Sequence, residues 1–173
     1  MSPKSLLRHK LSASPRSELT EGEFRVVIDE IDEIDPNEVS RLLFCTGKVY
    51  YDLLEARRKN EISNIAIARI EQLFPFPKSA VEATIERYPN LKQVLWVQEE
   101  PKNQGGWYYM QSRGTMLGCL QDHHVFGYAG RFYSASPATG HMNMHREQQE
   151  QLISDALQLD KIEAARRNNA WTG

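Results

Sequence analysis

Apolar residues fall in short runs separated by longer amphipathic stretches. Arg41-Leu42-Leu43-Phe44-Cys45, Asn64 to Ile70 and Gln93-Val94-Leu95-Trp96-Val97 are continuous apolar runs of strand length. Such runs suit strands buried on both faces. Phe24 to Ile28 and Val125 to Gly130 are two further strand candidates. Between the runs, Val49, Tyr50, Leu53 and Leu54 share one helical face, as do Val81, Ile85 and Tyr88. Pro77 suits the first turn of that second helix. A third helix is predicted from about Gln104–Gly106 to about Leu117. A final one after Pro137 carries Leu152, Ile153, Ala156 and Leu157. Alternation of strand and helix predicts an α/β fold, a three-layer α/β/α sandwich with a mostly parallel sheet and right-handed crossovers.

The ends of the chain read differently. Residues 1–22 are polar, with two prolines and five serines, and residues 29–38 hold six carboxylates. The first reads as an arm and the second as an acidic solvated connector. The expected organisation is a linker or arm with a short strand over residues 1–38, a domain over 39–160, and a flexible tail over 161–173. The 173 residues carry a net charge of −2, so nothing points to nucleic acid, and no apolar run approaches bilayer length. Two cysteines, Cys45 and Cys119, form no disulfide framework, which fits a bacterial cytoplasm or a mitochondrial matrix.

In parallel folds ligands collect at the carboxyl ends of strands. That edge would carry Thr46-Gly47-Lys48, Glu71-Gln72, Gln98-Glu99-Glu100 and Arg131. Cys45-Thr46-Gly47-Lys48 has the outline of a phosphate loop. It lacks the first glycine, and Val49 stands where a magnesium-binding Ser or Thr would be. It reads as a strand-to-helix turn with Thr46 as N-cap, whose free N–H groups and Lys48 could still hold an anion. His141 and His145 sit four apart, without a following Glu or a third ligand, so no metal site is expected. Neither cysteine has a plausible base near it in sequence, and no catalytic constellation is complete. Glu99 and Glu100 would point to opposite strand faces, so they read as partners in bridges to another subunit or domain. Trp96, Trp107, Tyr108 and Tyr109 read as core and interface anchors.

Several segments carry a resemblance: Ser2 to His9, Gly47 to Leu53, Arg69-Ile70-Glu71-Gln72-Leu73-Phe74-Pro75-Phe76-Pro77, Gln98-Glu99-Glu100-Pro101 with Asn103-Gln104-Gly105, and Ser134 to Gly140. Over residues 2–158 the chain resembles the C-terminal region of the thiamine-diphosphate-dependent dehydrogenase component of the 2-oxoglutarate dehydrogenase complex. The resemblance implies a transketolase-type C-terminal domain. It implies a parent that decarboxylates 2-oxoglutarate on thiamine diphosphate and magnesium and passes the succinyl group to a lipoyl acyltransferase component. The family's Gly-Asp-Gly cofactor motif is absent here, as are its catalytic histidines. Met1 falls at an internal family position, so the expectation is an expressed fragment or a truncated gene product, inactive alone. Its expected work is dimer assembly, active-site architecture with the remaining domains, and effector sensing. Some relatives bind acetyl-CoA in this domain, and carried over by position the effector residues are Arg25, Thr46, Lys48, Arg69, Gln98 and Arg131. Glu99, Glu100, Trp107 and Tyr108 are the expected interface residues. The alternative is a free-standing module that binds CoA or a nucleotide.

Overall fold

The computed structural model describes residues 3–161; the expected tail lies outside them except for Lys161. The strands are β1 (Val27–Ile28), β2 (Arg41–Cys45), β3 (Ile65–Ile70), β4 (Gln93–Pro101) and β5 (Val125–Arg131). The helices are α1 (Arg16–Thr20), α2 (Val49–Lys59), α3 (Lys78–Glu86), α4 (Trp107–Met110) and α5 (Met142–Leu157). Short 3-10 turns run over Lys4–Arg8, Lys10–Ser12 and Met116–Cys119.

The sheet order is β1-β3-β2-β4-β5, parallel except for β1, which pairs antiparallel with β3. Strand periodicity divides the apolar runs between two cores. Leu42, Phe44, Ala66, Ala68, Val94 and Trp96 face α3, α4 and the Met116–Cys119 turn. Leu43, Cys45, Ile65, Ile67, Leu95 and Val97 face α2 and α5. The result is the expected three-layer sandwich. The path from β2 to β3 moves one way along the sheet over one face. The path from β3 through β4 to β5 moves the other way over the opposite face, as right-handed crossovers require. The direction therefore switches between β2 and β4, and their carboxyl ends frame the crevice where such folds place ligands.

Three expectations about element bounds and capping need correction. The predicted strand from Phe24 shrinks to Val27–Ile28. The predicted helix over Gln104–Leu117 breaks after Met110. There Thr115 Oγ1 donates to the Tyr109 and Ser112 carbonyls, and Ser112 Oγ accepts the Gly114 N–H. Side-chain hydroxyls thus capture backbone groups that a helix would use. Thr46 is not an N-cap: Gly47 turns the chain at φ +71° and Lys48 stands at the cap position.

The acidic connector is the largest departure. Glu30 is not solvated; its side chain is 3% exposed. β1 ends at Ile28, which leaves the outer edge of β3 without a strand partner from there on. Glu30 fills that place, accepting the Ile67 N–H at 2.8 Å. Arg57, itself 2% exposed, donates to the Ile65 carbonyl and pairs with Glu30 and Asp32. Arg58 pairs with Asp32 from outside. An ion-paired side chain thus substitutes for a strand at an edge that would otherwise pair with other chains.

Candidate functional site

The carboxyl-end crest is organised around Gln98. Its side-chain oxygen accepts the Trp96 Nε1–H at 2.7 Å and the Trp107 N–H at 3.0 Å. Its amide nitrogen donates to the Gln104 carbonyl at 2.7 Å, with the Glu100 and Pro101 carbonyls also within 3.2 Å. The next turn needs glycine at position 105. Its φ is +65°, and a Cβ there would come within 2.8–3.0 Å of the Gln98 amide. Asn103 then binds Ser134 in both directions, donating to its carbonyl at 2.9 Å and accepting its N–H at 3.0 Å. The Gln-Glu-Glu-Pro-x-Asn-Gln-Gly motif and the Ser134–Gly140 segment are therefore one physical unit. Sequence spacing gave no sign of that junction.

At the switch point Lys48 lies between Asp52 at 2.7 Å and Glu99 at 3.0 Å. Partial burial works against its charge, but these two carboxylates outweigh it and raise its pKa. Gln149 of α5 donates to the same Asp52 oxygen at 2.9 Å, tying α5 to α2. Arg69 stacks on Tyr50 at 4.6 Å, donates to the Tyr51 hydroxyl at 2.9 Å and pairs with Glu71. Arg25 pairs with Glu18 at 2.8 Å.

The six expected effector residues do not share one cavity. Arg25 and Arg69 line a cleft of about 660 Å³ beneath the arm, with Glu18 and Glu71 on its walls. Thr46 lines an apolar cleft of about 360 Å³ with Phe74, Trp96 and Tyr109. Arg131 lines a third cavity, of about 290 Å³, against the Ser134–Gly140 segment and α5. Lys48 stands at the switch point, and Gln98 is buried with its amide engaged internally. Lys48, Arg69 and Arg25 each carry a carboxylate partner. Among the described residues no carboxylate pairs with Arg131.

The expected interface residues also separate. Tyr108 is exposed, its hydroxyl 3.2 Å from that of Tyr133. Trp107 belongs to the core instead, packed on Phe126 and Tyr128 at ring distances of 5.3 and 5.0 Å. Glu99 is engaged by Lys48 of its own chain. Glu100 is exposed. His141 stands at the α5 N-cap position, while His145 meets Arg131 Nη2 through its Nδ1 at 2.8 Å. Among the described residues no three His, Cys, Asp or Glu side chains cluster to hold a metal ion. That donor set does not fit magnesium with a diphosphate, so no step through thiamine diphosphate is assigned to these residues. Burial pushes both cysteine thiols up, Cys119 to about 11, so neither is a thiolate at neutral pH.

Comparison with known proteins gives this geometry its context. Residues 13–157 match the family model described as 2-oxoglutarate dehydrogenase C-terminal. The chain is 51% identical over 157 residues to the 2-oxoglutarate dehydrogenase E1 component of Haemophilus influenzae. It is 51% identical over 159 residues to the oxoglutarate dehydrogenase of Buchnera aphidicola. It is 45% identical over 161 residues to the 2-oxoglutarate dehydrogenase E1 component of Coxiella burnetii. These alignments cover 91–92% of this chain and 17% of each relative. The chain belongs to the 2-oxoglutarate dehydrogenase C-terminal family.

Proposed function

We propose that this chain serves as the non-catalytic C-terminal domain of a 2-oxoglutarate dehydrogenase decarboxylating component. Its role is to help assemble a homodimer, to shape the active-site entrance and to sense an effector at the strand-end crest. Thiamine diphosphate and magnesium would be held by the remaining domains, and the lipoyl acyltransferase component would be met through the parent enzyme. A bacterial cytoplasm or a mitochondrial matrix suits such a complex.

One observation carries the assembly role. The segments that follow the carboxyl ends of β3, β4 and β5 leave large aromatic residues in solvent: Phe74, Tyr108, Phe132 and Tyr133, from 55% to 88% exposed. Large exposed apolar patches mark surfaces that another body covers. The crest side is the side they share, and the chain spans about one sixth of its relatives' length. In isolation the chain is therefore expected to self-associate. Sedimentation equilibrium checks this, with Phe132→Ser/Tyr133→Ser as the variant, because Trp107 is a core residue whose loss would disturb the fold. A shift toward monomer in the double variant supports the reading. A wild-type chain that stays monomeric at high concentration contradicts it.

A further inference from the structure

The two edges of the sheet are finished differently. The β3 edge is closed, first by β1 and then by the Glu30 side chain that Arg57 holds in place. The β5 edge is open. β4 is the one strand beside β5. The Val125 N–H and the Arg131 carbonyl both point to that side, bonding Lys92 and Lys102. Backbone groups alternate along a strand, so Val125, Gly127, Ala129 and Arg131 bond toward β4. Phe126, Tyr128 and Gly130 then turn their N–H and C=O groups outward. Among the described residues no hydrogen bond reaches those outward groups. β5 is seven residues long and lacks the usual guards against pairing. It has no proline and no lysine, its one charge stands at the last position, and the register irregularity beside it falls on β4.

The strand is also complementary to itself. Turned antiparallel about Tyr128, it sets Tyr128 against Tyr128, Phe126 against Gly130, Gly127 against Ala129 and Val125 against Arg131. No like charges meet, and the bulky Phe126 falls opposite a residue with no side chain. Phe126, Tyr128 and Gly130 become the hydrogen-bonded pairs of that ladder, so every outward group of each copy is satisfied. Carried past the strand ends, the same register brings His124 and His123 opposite Phe132 and Tyr133. Those two aromatics are 88% and 63% exposed, and Val125 is 61% exposed. The histidine rings lie 4.1 Å apart, an aromatic pair ready to cover them. We propose that β5 is a strand-addition edge whose occupant is β5 of a second copy of this chain, joined antiparallel about a two-fold axis at Tyr128 into one continuous sheet. A two-fold contact uses the same patch on both copies, which a self-complementary strand provides. The inference rests on the assembly part of the proposed function and names its surface and register.

Amide hydrogen exchange of the full chain, followed by NMR across a concentration series, tests this. The Phe126, Tyr128 and Gly130 amides are expected to exchange at least about tenfold more slowly in concentrated than in dilute solution. The Ile67 amide, already held by Glu30 within the chain, should not respond. Two substitutions at the exposed position 125 test the register. Val125→Lys sets a like charge opposite Arg131 in both halves of the pair, and should weaken self-association about fivefold by sedimentation. Val125→Glu sets an opposite charge there, and should hold or tighten it. Self-association that leaves the three outward amides in fast exchange overturns the strand pairing while the assembly reading stands. A chain that stays monomeric overturns both. Outward amides that are slow at every concentration show that a segment of the same chain covers the edge, which also overturns the proposal. Equal weakening by the two substitutions overturns the register and the proposal with it.

Discussion

Arg57→Ala is expected to destabilise the fold by about 3–5 kcal/mol, the usual effect of breaking a buried ion pair from one side. The side chains of Arg57 and Glu30 are 2% and 3% exposed, so removing the guanidinium strands a carboxylate away from water. The Ile65 carbonyl loses its donor as well. Asp32 keeps Arg58 and remains partly solvated, so it moderates the loss only at the rim. Urea denaturation followed by tryptophan fluorescence reads the effect. The double variant Arg57→Met/Glu30→Gln should recover part of it, because no unpaired charge then remains and the amide can still accept the Ile67 N–H. If Arg57→Ala unfolds at the wild-type midpoint, the clip is not holding the β3 edge. The same cluster gives an acid signature. Asp32 is held below its ordinary carboxylate range, chiefly by its hydrogen bond from Arg58 and against the effect of burial. A depressed folded-state pKa contributes stability that is present above the unfolded value, near pH 3.9. That contribution is lost as pH falls through the folded value, so Arg58→Ala should narrow the stability gap between neutral and strongly acidic solution.

Trp96→Ala is the other large expected loss, about 3–5 kcal/mol. The indole is fully buried in the middle of β4 and donates to Gln98. Truncation leaves a void between the sheet and α4. It also loosens the side chain that holds Trp107 and the carbonyls of the 100–104 turn. Since domains retain only about 5–15 kcal/mol of net stability, the variant sits near the folding threshold. Trp96→Phe tests the same site more gently. It removes the N–H together with the fused part of the ring, so about 1–3 kcal/mol should be lost, less than for alanine. An unchanged denaturant midpoint for Trp96→Ala would show that β4 is misplaced.

The layers were legible because the apolar runs are buried on both faces. Leu42 and Phe44 turn one way and Leu43 and Cys45 the other, so the run reads as a central strand without any partner in view. The helix faces at Val49–Leu54 and Val81–Ile85 were legible for the complementary reason, a period that only a helix satisfies. The connector was not. Six carboxylates in ten residues read as solvated, and nothing local shows that Arg57, 27 residues on, folds back over Glu30. Trp107 was expected to anchor core and interface. Gly105 and Gly106 let the chain pass close to Gln98 and Trp96, and Trp107 lies in the core. Arg131 could be placed on the crest by counting strands. That no carboxylate among the described residues pairs with it, while Lys48, Arg69 and Arg25 each have one, emerges only in the structure.

The central claim is that this domain works only as part of a larger decarboxylating enzyme. The direct measurement is to combine the purified chain with a polypeptide carrying the thiamine-binding domains of a family member truncated before this region. Decarboxylation of 2-oxoglutarate is then followed with an artificial electron acceptor, alongside thiamine diphosphate titration of the chain alone. The account predicts no cofactor binding and no turnover by either piece alone, with activity appearing when the two are mixed. Saturable thiamine diphosphate binding by the isolated chain, or a truncated partner that is fully active without it, would contradict the account.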